Sequence, residues 1–165
     1  MSLFMPTIMV QNVTDITVDI IKQLNVDTIL LDVDNTLAEH GSHIPFEGTI
    51  EWTKSMLEEG FKIVIVSNNF ENRVSSFAKK FDLPFVYLSL KPLPLGFNRA
   101  KKLLGSEPRK SVVIGDQVFT DILGANLAGM KSILLEPKAC KETLGIKFRR
   151  ILEKPIRKRA KNSKY

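Results

Sequence analysis

Short apolar runs alternate along this 165-residue chain with segments whose apolar residues recur at helical spacing. That alternation restricts the fold to βαβ units built round a parallel sheet. The first strand reads as Thr28–Val33, running into Asp32-Val33-Asp34-Asn35-Thr36. Ahead of it, Val18, Ile20, Ile21 and Leu24 predict a short amphipathic helix begun near Thr14 or Asp15. A second helix is expected from about Phe46 to Glu59, because Ile50, Thr53 and Leu57 share a face and Gly60 supplies a stop. Lys62–Val66 is the next strand, followed by a helix with Val74, Phe77, Ala78 and Phe81 at i, i+3, i+4 and i+7. Pro84–Leu90 reads as a strand ending at Lys91, and Pro94 opens a helix that closes at Gly105. A strand at Ser111–Ile114, a helix near Asp121–Ala128 ended by Gly129, and a strand at Lys131–Leu135 complete the series. The expected architecture is a three-layer, Rossmann-like, doubly wound α/β sheet.

The polar residues fall in a pattern. Asp32 and Asp34, Ser67, Lys91 and Asp116 each stand at or just beyond the C-terminal end of an expected strand. In an open parallel sheet those ends share one edge, where ligands bind. Four separate stretches of chain are therefore expected to meet at one site.

Composition narrows the setting. The length suits one domain with a single sizeable core. No apolar run approaches the roughly 18 residues of a membrane span. Met1 to Val10 lacks a basic region and is broken by Pro6, which argues against a secretory signal. The only cysteine, Cys140, excludes a disulfide framework and a cysteine metal site, so a cytoplasmic location is expected. The charge is uneven. Lys147 to Lys164 holds nine basic residues and one acid, so this tail carries +8 of a net +6 and the rest of the chain is near neutral at −2. On this basis residues 1–146 are expected to form the domain and 147–165 a basic tail.

A cluster of carboxylates with one lysine repels itself unless a cation holds it, and hard aspartate oxygens suit Mg²⁺. Phosphoryl transfer needs positioning, charge neutralisation and an in-line nucleophile. A carboxylate can attack phosphorus, and a second carboxylate two residues on can shuttle the proton. Lys91 and the Ser67 hydroxyl suit phosphoryl oxygens.

Those residues resemble a known family. Leu30-Leu31-Asp32-Val33-Asp34-Asn35-Thr36 is similar to the first motif of the haloacid dehalogenase (HAD) superfamily, a strand ending in DxDxT. Ser67 resembles the second motif, Lys91-Pro92 the third, and Gly115-Asp116 through Asp121 the fourth, all in order over roughly residues 28–135. The resemblance implies that Asp32 is the nucleophile and a Mg²⁺ ligand. It implies that Asp34 is the general acid/base and a Mg²⁺ ligand through its backbone carbonyl. Asp116 becomes a direct Mg²⁺ ligand, Asp121 and Thr36 supporting residues, and Ser67, Asn68 and Lys91 the phosphate-binding set. Val66-Ser67-Asn68-Asn69, Arg73-Val74 and Gly115-Asp116-Gln117 more closely resemble the capless YqeG-type branch. Relatives there include phosphatases of phosphatidylglycerophosphate. The intervals from Asp34 to Ser67 and from Ser67 to Lys91 each hold one helix and one strand, leaving no room for a lid domain.

The implied activity is Mg²⁺-dependent phosphomonoester hydrolysis through an aspartyl-phosphate, with phosphatidylglycerophosphate as one substrate. The alternatives are a soluble phosphate ester, a nucleic acid end, or a regulatory module that binds phosphate without turnover. The basic tail suggests either a solvated extension or attraction to the anionic inner face of the membrane; nucleic acid is the weaker fit, since no aromatic platform accompanies it. His40 and His43 are expected to be idle loop residues, Trp52 to pack in or beside the core, Asn69 to act as a cap and Cys140 to be incidental.

Overall fold

The computed structural model describes residues 2–138 and 143–162. Cys140 and the terminal residues 163–165 of the basic segment lie outside the described residues. Six parallel strands form one sheet: β1 (Ile8–Val10), β2 (Thr28–Leu31), β3 (Lys62–Val66), β4 (Phe85–Val86), β5 (Ser111–Gly115) and β6 (Lys131–Leu135). Their spatial order is β1-β6-β5-β2-β3-β4. The helices are α1 (Val18–Gln23), α2 (Thr49–Glu58), α3 (Glu71–Phe81), α4 (Pro94–Leu104), α5 (Leu123–Leu127) and α6 (Leu144–Asn162).

The central strands are apolar throughout because both their faces are covered. Alternation sorts them: Ile29 and Leu31 of β2, with Ile63 and Ile65 of β3, pack among Ile21, Trp52, Val74 and Phe77 from α1, α2 and α3. Leu30, Val64 and Val113 point the other way, onto Phe97 and Ala100 of α4 and Ala125 of α5. Trp52 sits in the core as expected, its indole nitrogen donating to the Ile16 carbonyl at 2.8 Å. The doubly wound three-layer sheet read from the sequence is the fold.

The chain leaves β2 for β3 and β4 on one side and returns to β5 and β6 on the other, which opens a crevice at the β2 end. Leu31 stands opposite Ile65 in β3 and Ile114 in β5, so the residues that follow these strands emerge side by side. Among the described residues no inserted domain interrupts the connections.

Three elements differ from the sequence expectation. The edge strand β1, paired with β6, was not anticipated; three residues are too few to show a period. The expected strand Pro84–Leu90 shrinks to Phe85–Val86, because Leu88 (φ 42°) and Leu90 (φ 57°) turn left-handed and end the pairing. That turn presses on α4: a Cβ at Gly96 would stand 2.4 Å from Ser89, so only glycine admits it. The third difference is α6. The boundary drawn from charge at residue 147 falls inside a 19-residue helix, which buries Ile146, Glu153, Arg157 and Ala160 against the body.

Candidate active site

Four strand ends supply the floor of a cleft of about 290 Å³. Asp32 follows β2 and stays in the sheet, its N–H donating to the Ile114 carbonyl at 3.0 Å. Beyond it the chain folds into a hook: the Thr36, Leu37 and Ala38 amides all donate to the Val33 carbonyl, and Asn35 turns left-handed at φ 58°. Ser67 follows β3, Lys91 follows the turn after β4, and Asp116 follows β5. A π-helical turn, Val118–Ile122, then swings Asp121 back toward the sheet. Gly115 makes room for it, since a Cβ there would meet the Asp121 carboxylate at 2.3 Å.

The floor is a compact buried charge cluster. One oxygen each of Asp32, Asp116 and Asp121 lies within 4.8 Å of the others. The Lys91 ammonium ion-pairs with Asp32 and donates to Asp121 at 2.8 Å and to the Val66 carbonyl at 3.1 Å. Burial alone would drive the Lys91 proton off, but Asp121 and Asp32 outweigh it and hold the amine protonated. Burial raises the Asp32 carboxyl well above the usual carboxylate range; Lys91 opposes this, and the neighbouring aspartates add to it. Asp116 is pushed up to about 6 by burial, against the pull of Arg150. Its Oδ1 is buried with no hydrogen-bond partner among the described residues. An orphaned acidic oxygen inside a cluster of acids is costly unless a cation meets it. The donor set is hard oxygen and fits a divalent cation of the Mg²⁺ type.

The wall of the cleft is arranged differently. Asp34, two residues from Asp32, turns its carboxylate out of the cluster. It accepts from Arg73 at 2.7 Å, the Gly41 amide at 3.1 Å and the Asn69 side chain at 2.6 Å, with His40 Nδ1 3.7 Å away. Burial would raise this carboxyl, but the Gly41 N–H, Arg73 and Asn69 together hold it below the usual range. The acid that completes the floor is therefore Asp121, while Asp34 faces the cleft from its side.

Asn68 contacts the loop more than the cleft. Its Oδ1 accepts from the Lys91 amide at 2.8 Å and Ser89 Oγ at 2.7 Å, and its amide donates to the Lys91 carbonyl at 3.2 Å. It fixes the Lys91 loop while still lining the cleft. Ser67 Oγ accepts from Asn69 at 3.2 Å through both the backbone and the side-chain amide. Thr36 is buried, and its hydroxyl finds no partner among the described residues.

The charge census hid a further part of the site. The inner face of α6 closes over Asp116. Arg150 ion-pairs with the Asp116 carboxylate and donates to its carbonyl at 2.5 Å, and Arg157 donates to the same carbonyl. Glu153, fully buried, accepts from Arg157 at 2.8 Å and Arg150 at 3.2 Å, and its other oxygen takes the Val118 amide at 2.8 Å. One pattern could have revealed this set: the sole acid of a basic run stands between arginines at i−3 and i+4, on the stripe carrying Ile146 and Ala160. Arg149, beside Gln117 at 3.4 Å, lines the cleft, as His40 does. His43 gives its carbonyl to Lys80 at 2.6 Å.

Comparison with known proteins shows what the chain is similar to. A family model described as HAD-hydrolase-like matches residues 90–144. The chain is 40% identical over 153 residues to the "Probable phosphatase YqeG" of Bacillus subtilis (strain 168), covering 93% of this chain and 89% of that protein. It is 29% identical over 100 residues to the pyrophosphatase PpaX of Halalkalibacterium halodurans, covering 55% and 46%. A solved HAD-superfamily hydrolase from Ehrlichia chaffeensis superposes with a TM-score of 0.61 at 16% identity, over 80% of this chain and 98% of that one, which speaks for the fold.

Proposed function

Since the chain belongs to the HAD-like hydrolases, among the relatives of the phosphatase YqeG, and is a phosphoester hydrolase, we propose that it cleaves phosphomonoesters through a phosphoryl group carried on Asp32. The observation that carries this reading is the buried floor, where Lys91 ties Asp32 to Asp121 and Asp116 turns an orphaned oxygen inward.

Asp32, Asp116 and the Asp34 carbonyl would hold Mg²⁺, with Asp121 in support. Bound there, the cation would neutralise the phosphoryl oxygens and the clustered carboxylates. Lys91 favours the ionised form of Asp32 against its burial and presents positive charge to the phosphoryl group. Ser67, whose oxygen already accepts from Asn69, has its own hydrogen to donate to a phosphoryl oxygen. An Asp32 oxygen forms a bond to phosphorus as the ester P–O bond breaks, and the Asp34 carboxyl gives its proton to the departing alcohol. A water then yields a proton to Asp34 and attacks phosphorus, releasing inorganic phosphate and the Asp32 carboxylate. Asp34 must first be protonated. An incoming phosphate dianion raises its affinity for a proton by like-charge repulsion and competes for Arg73.

For the substrate, we favour a phosphate displayed on a body larger than the cleft, because no inserted lid covers the mouth among the described residues. Phosphatidylglycerophosphate is the lipid form of such a substrate, and the inner face of the membrane is the corresponding location. No described helix is long and apolar enough to cross a bilayer. Asp32→Asn tests the chemistry: phosphate release should fall about 10⁴-fold or more with the fold intact. Undiminished turnover would refute the nucleophile.

A further inference from the structure

The outer face of α6 carries a second feature, independent of its grip on Asp116. Leu144, Phe148, Ile151 and Leu152 recur at i, i+4, i+7 and i+8, opposite the buried face, and are 48 to 85% exposed. Their near neighbours Gly145, Ile146 and Arg149 line the cleft, so the apolar stripe begins at the cleft mouth. Phe70 and Leu90 are also exposed, each next in sequence to a cleft-lining residue. Four large apolar side chains in one stripe on the exposed face of a helix are more than scattered surface residues.

What lies beside the stripe identifies its partner. A groove of about 530 Å³ runs along one flank of α6, lined by Lys154, Lys158 and Lys161, the last paired with Glu136, above the inward-turned Arg150 and Arg157. Lys147, Lys154 and Lys158 are exposed along that flank. An apolar stripe edged by cations matches a lipid–water interface with acidic headgroups, where side chains enter the acyl boundary and lysines meet phosphate. A nucleic acid would use the cations and leave the leucines wet. A second copy of this chain would bring the same positive charge against itself.

We infer that the outer face of α6 docks on anionic lipid bilayers and holds the cleft mouth against the headgroup layer. The site's partner would then be a membrane surface, met by a folded helix whose inner face is fastened to the site. The inference takes the meaning of the cleft from the phosphatase reading, but the docking stands on the helix itself.

The test uses the full chain and vesicles of phosphatidylcholine, alone or mixed with phosphatidylglycerol. Binding should need the anionic lipid and weaken with salt. Phe148→Glu should lower it about tenfold or more, and Lys154→Glu with Lys158→Glu should do the same while reducing the salt dependence. All should leave thermal stability and hydrolysis of a soluble phosphoester unchanged. If Phe148→Glu failed to fold, Ile151→Glu would replace it. Equal binding to both vesicle types, or none, overturns the inference. So does a dimer in solution that Phe148→Glu dissociates, or binding to duplex nucleic acid without binding to vesicles. Hydrolysis of soluble esters without vesicle binding removes only the docking; vesicle binding without hydrolysis of any ester removes only the phosphatase reading.

Discussion

The floor and the wall of the cleft treat neighbouring carboxylates in opposite ways. Asp32 and Asp116 lie buried among other acids, and both are pushed upward by burial. Asp34, two residues from Asp32, is held low by Arg73, Asn69 and the Gly41 amide against its own burial. The difference teaches where each charge is balanced. The wall closes its account within the protein. The floor leaves an acidic oxygen unmatched, which on the proposed reading a cation from outside would meet.

The largest effect should follow from breaking the floor. Asp116→Asn removes the acid with the orphaned oxygen, and phosphate release is expected to fall about 10³-fold. The gain in melting temperature on adding Mg²⁺ should vanish with it, which calorimetry can follow. In the parent protein that gain should itself depend on pH. A carboxyl raised to about 6 is protonated in the native state before it is in the unfolded chain, so without metal the fold loses stability as pH rises through about 6. The Mg²⁺-induced shift should therefore be larger at pH 8 than at pH 5. An equal shift at both would contradict a cation on Asp116.

Next comes the fastening of α6. Glu153→Gln removes the carboxylate paired with the buried Arg157, while Arg150 keeps Asp116, and should cost about 3–5 kcal/mol in urea unfolding. Arg150→Gln keeps the helix but loosens the Asp116 carboxylate, and the Mg²⁺ concentration for half-maximal activity should rise about 10- to 100-fold. Unaltered Mg²⁺ dependence would show that α6 packs on the site without positioning it.

The smallest effect belongs to the wall. Asp34 contributes stability that is present above its unfolded pKa and lost as pH falls through its lower native value. Arg73→Ala should raise that native value, so the variant should lose less stability than the parent on acidification, as read by melting temperature between about pH 5 and pH 3. A parallel decline in both proteins would detach Arg73 from Asp34.

Much of the floor was legible in the sequence because Asp32, Lys91 and Asp116 follow apolar runs whose ends a parallel sheet gathers, whereas Asp121 reaches it from a helical turn. Asp32, Ser67 and Lys91 line a single cleft, and the Asp116 carboxylate lies beside that of Asp32. The direction in which Asp34 faces was not legible, since it depends on Arg73 from another helix and on an amide in the hook. Asn69, expected as a cap, bonds Asp34 and Ser67 for the same reason. The α6 segment was misjudged because net charge was summed over residues that face opposite ways. Arg150 and Arg157 turn inward to Asp116 and Glu153, while Lys154 and Lys158 turn outward. Helical periodicity carried that information, whereas total charge erased it.

Peptide mapping of acid-quenched enzyme, taken during turnover of a phosphomonoester with Mg²⁺, bears most directly on the central claim. A phosphoryl group should appear on the peptide containing Asp32, accumulate in Asp34→Asn and be missing from Asp32→Asn. Steady turnover with no phosphoryl group on that peptide, and with Asp32→Asn as active as the parent, would contradict it.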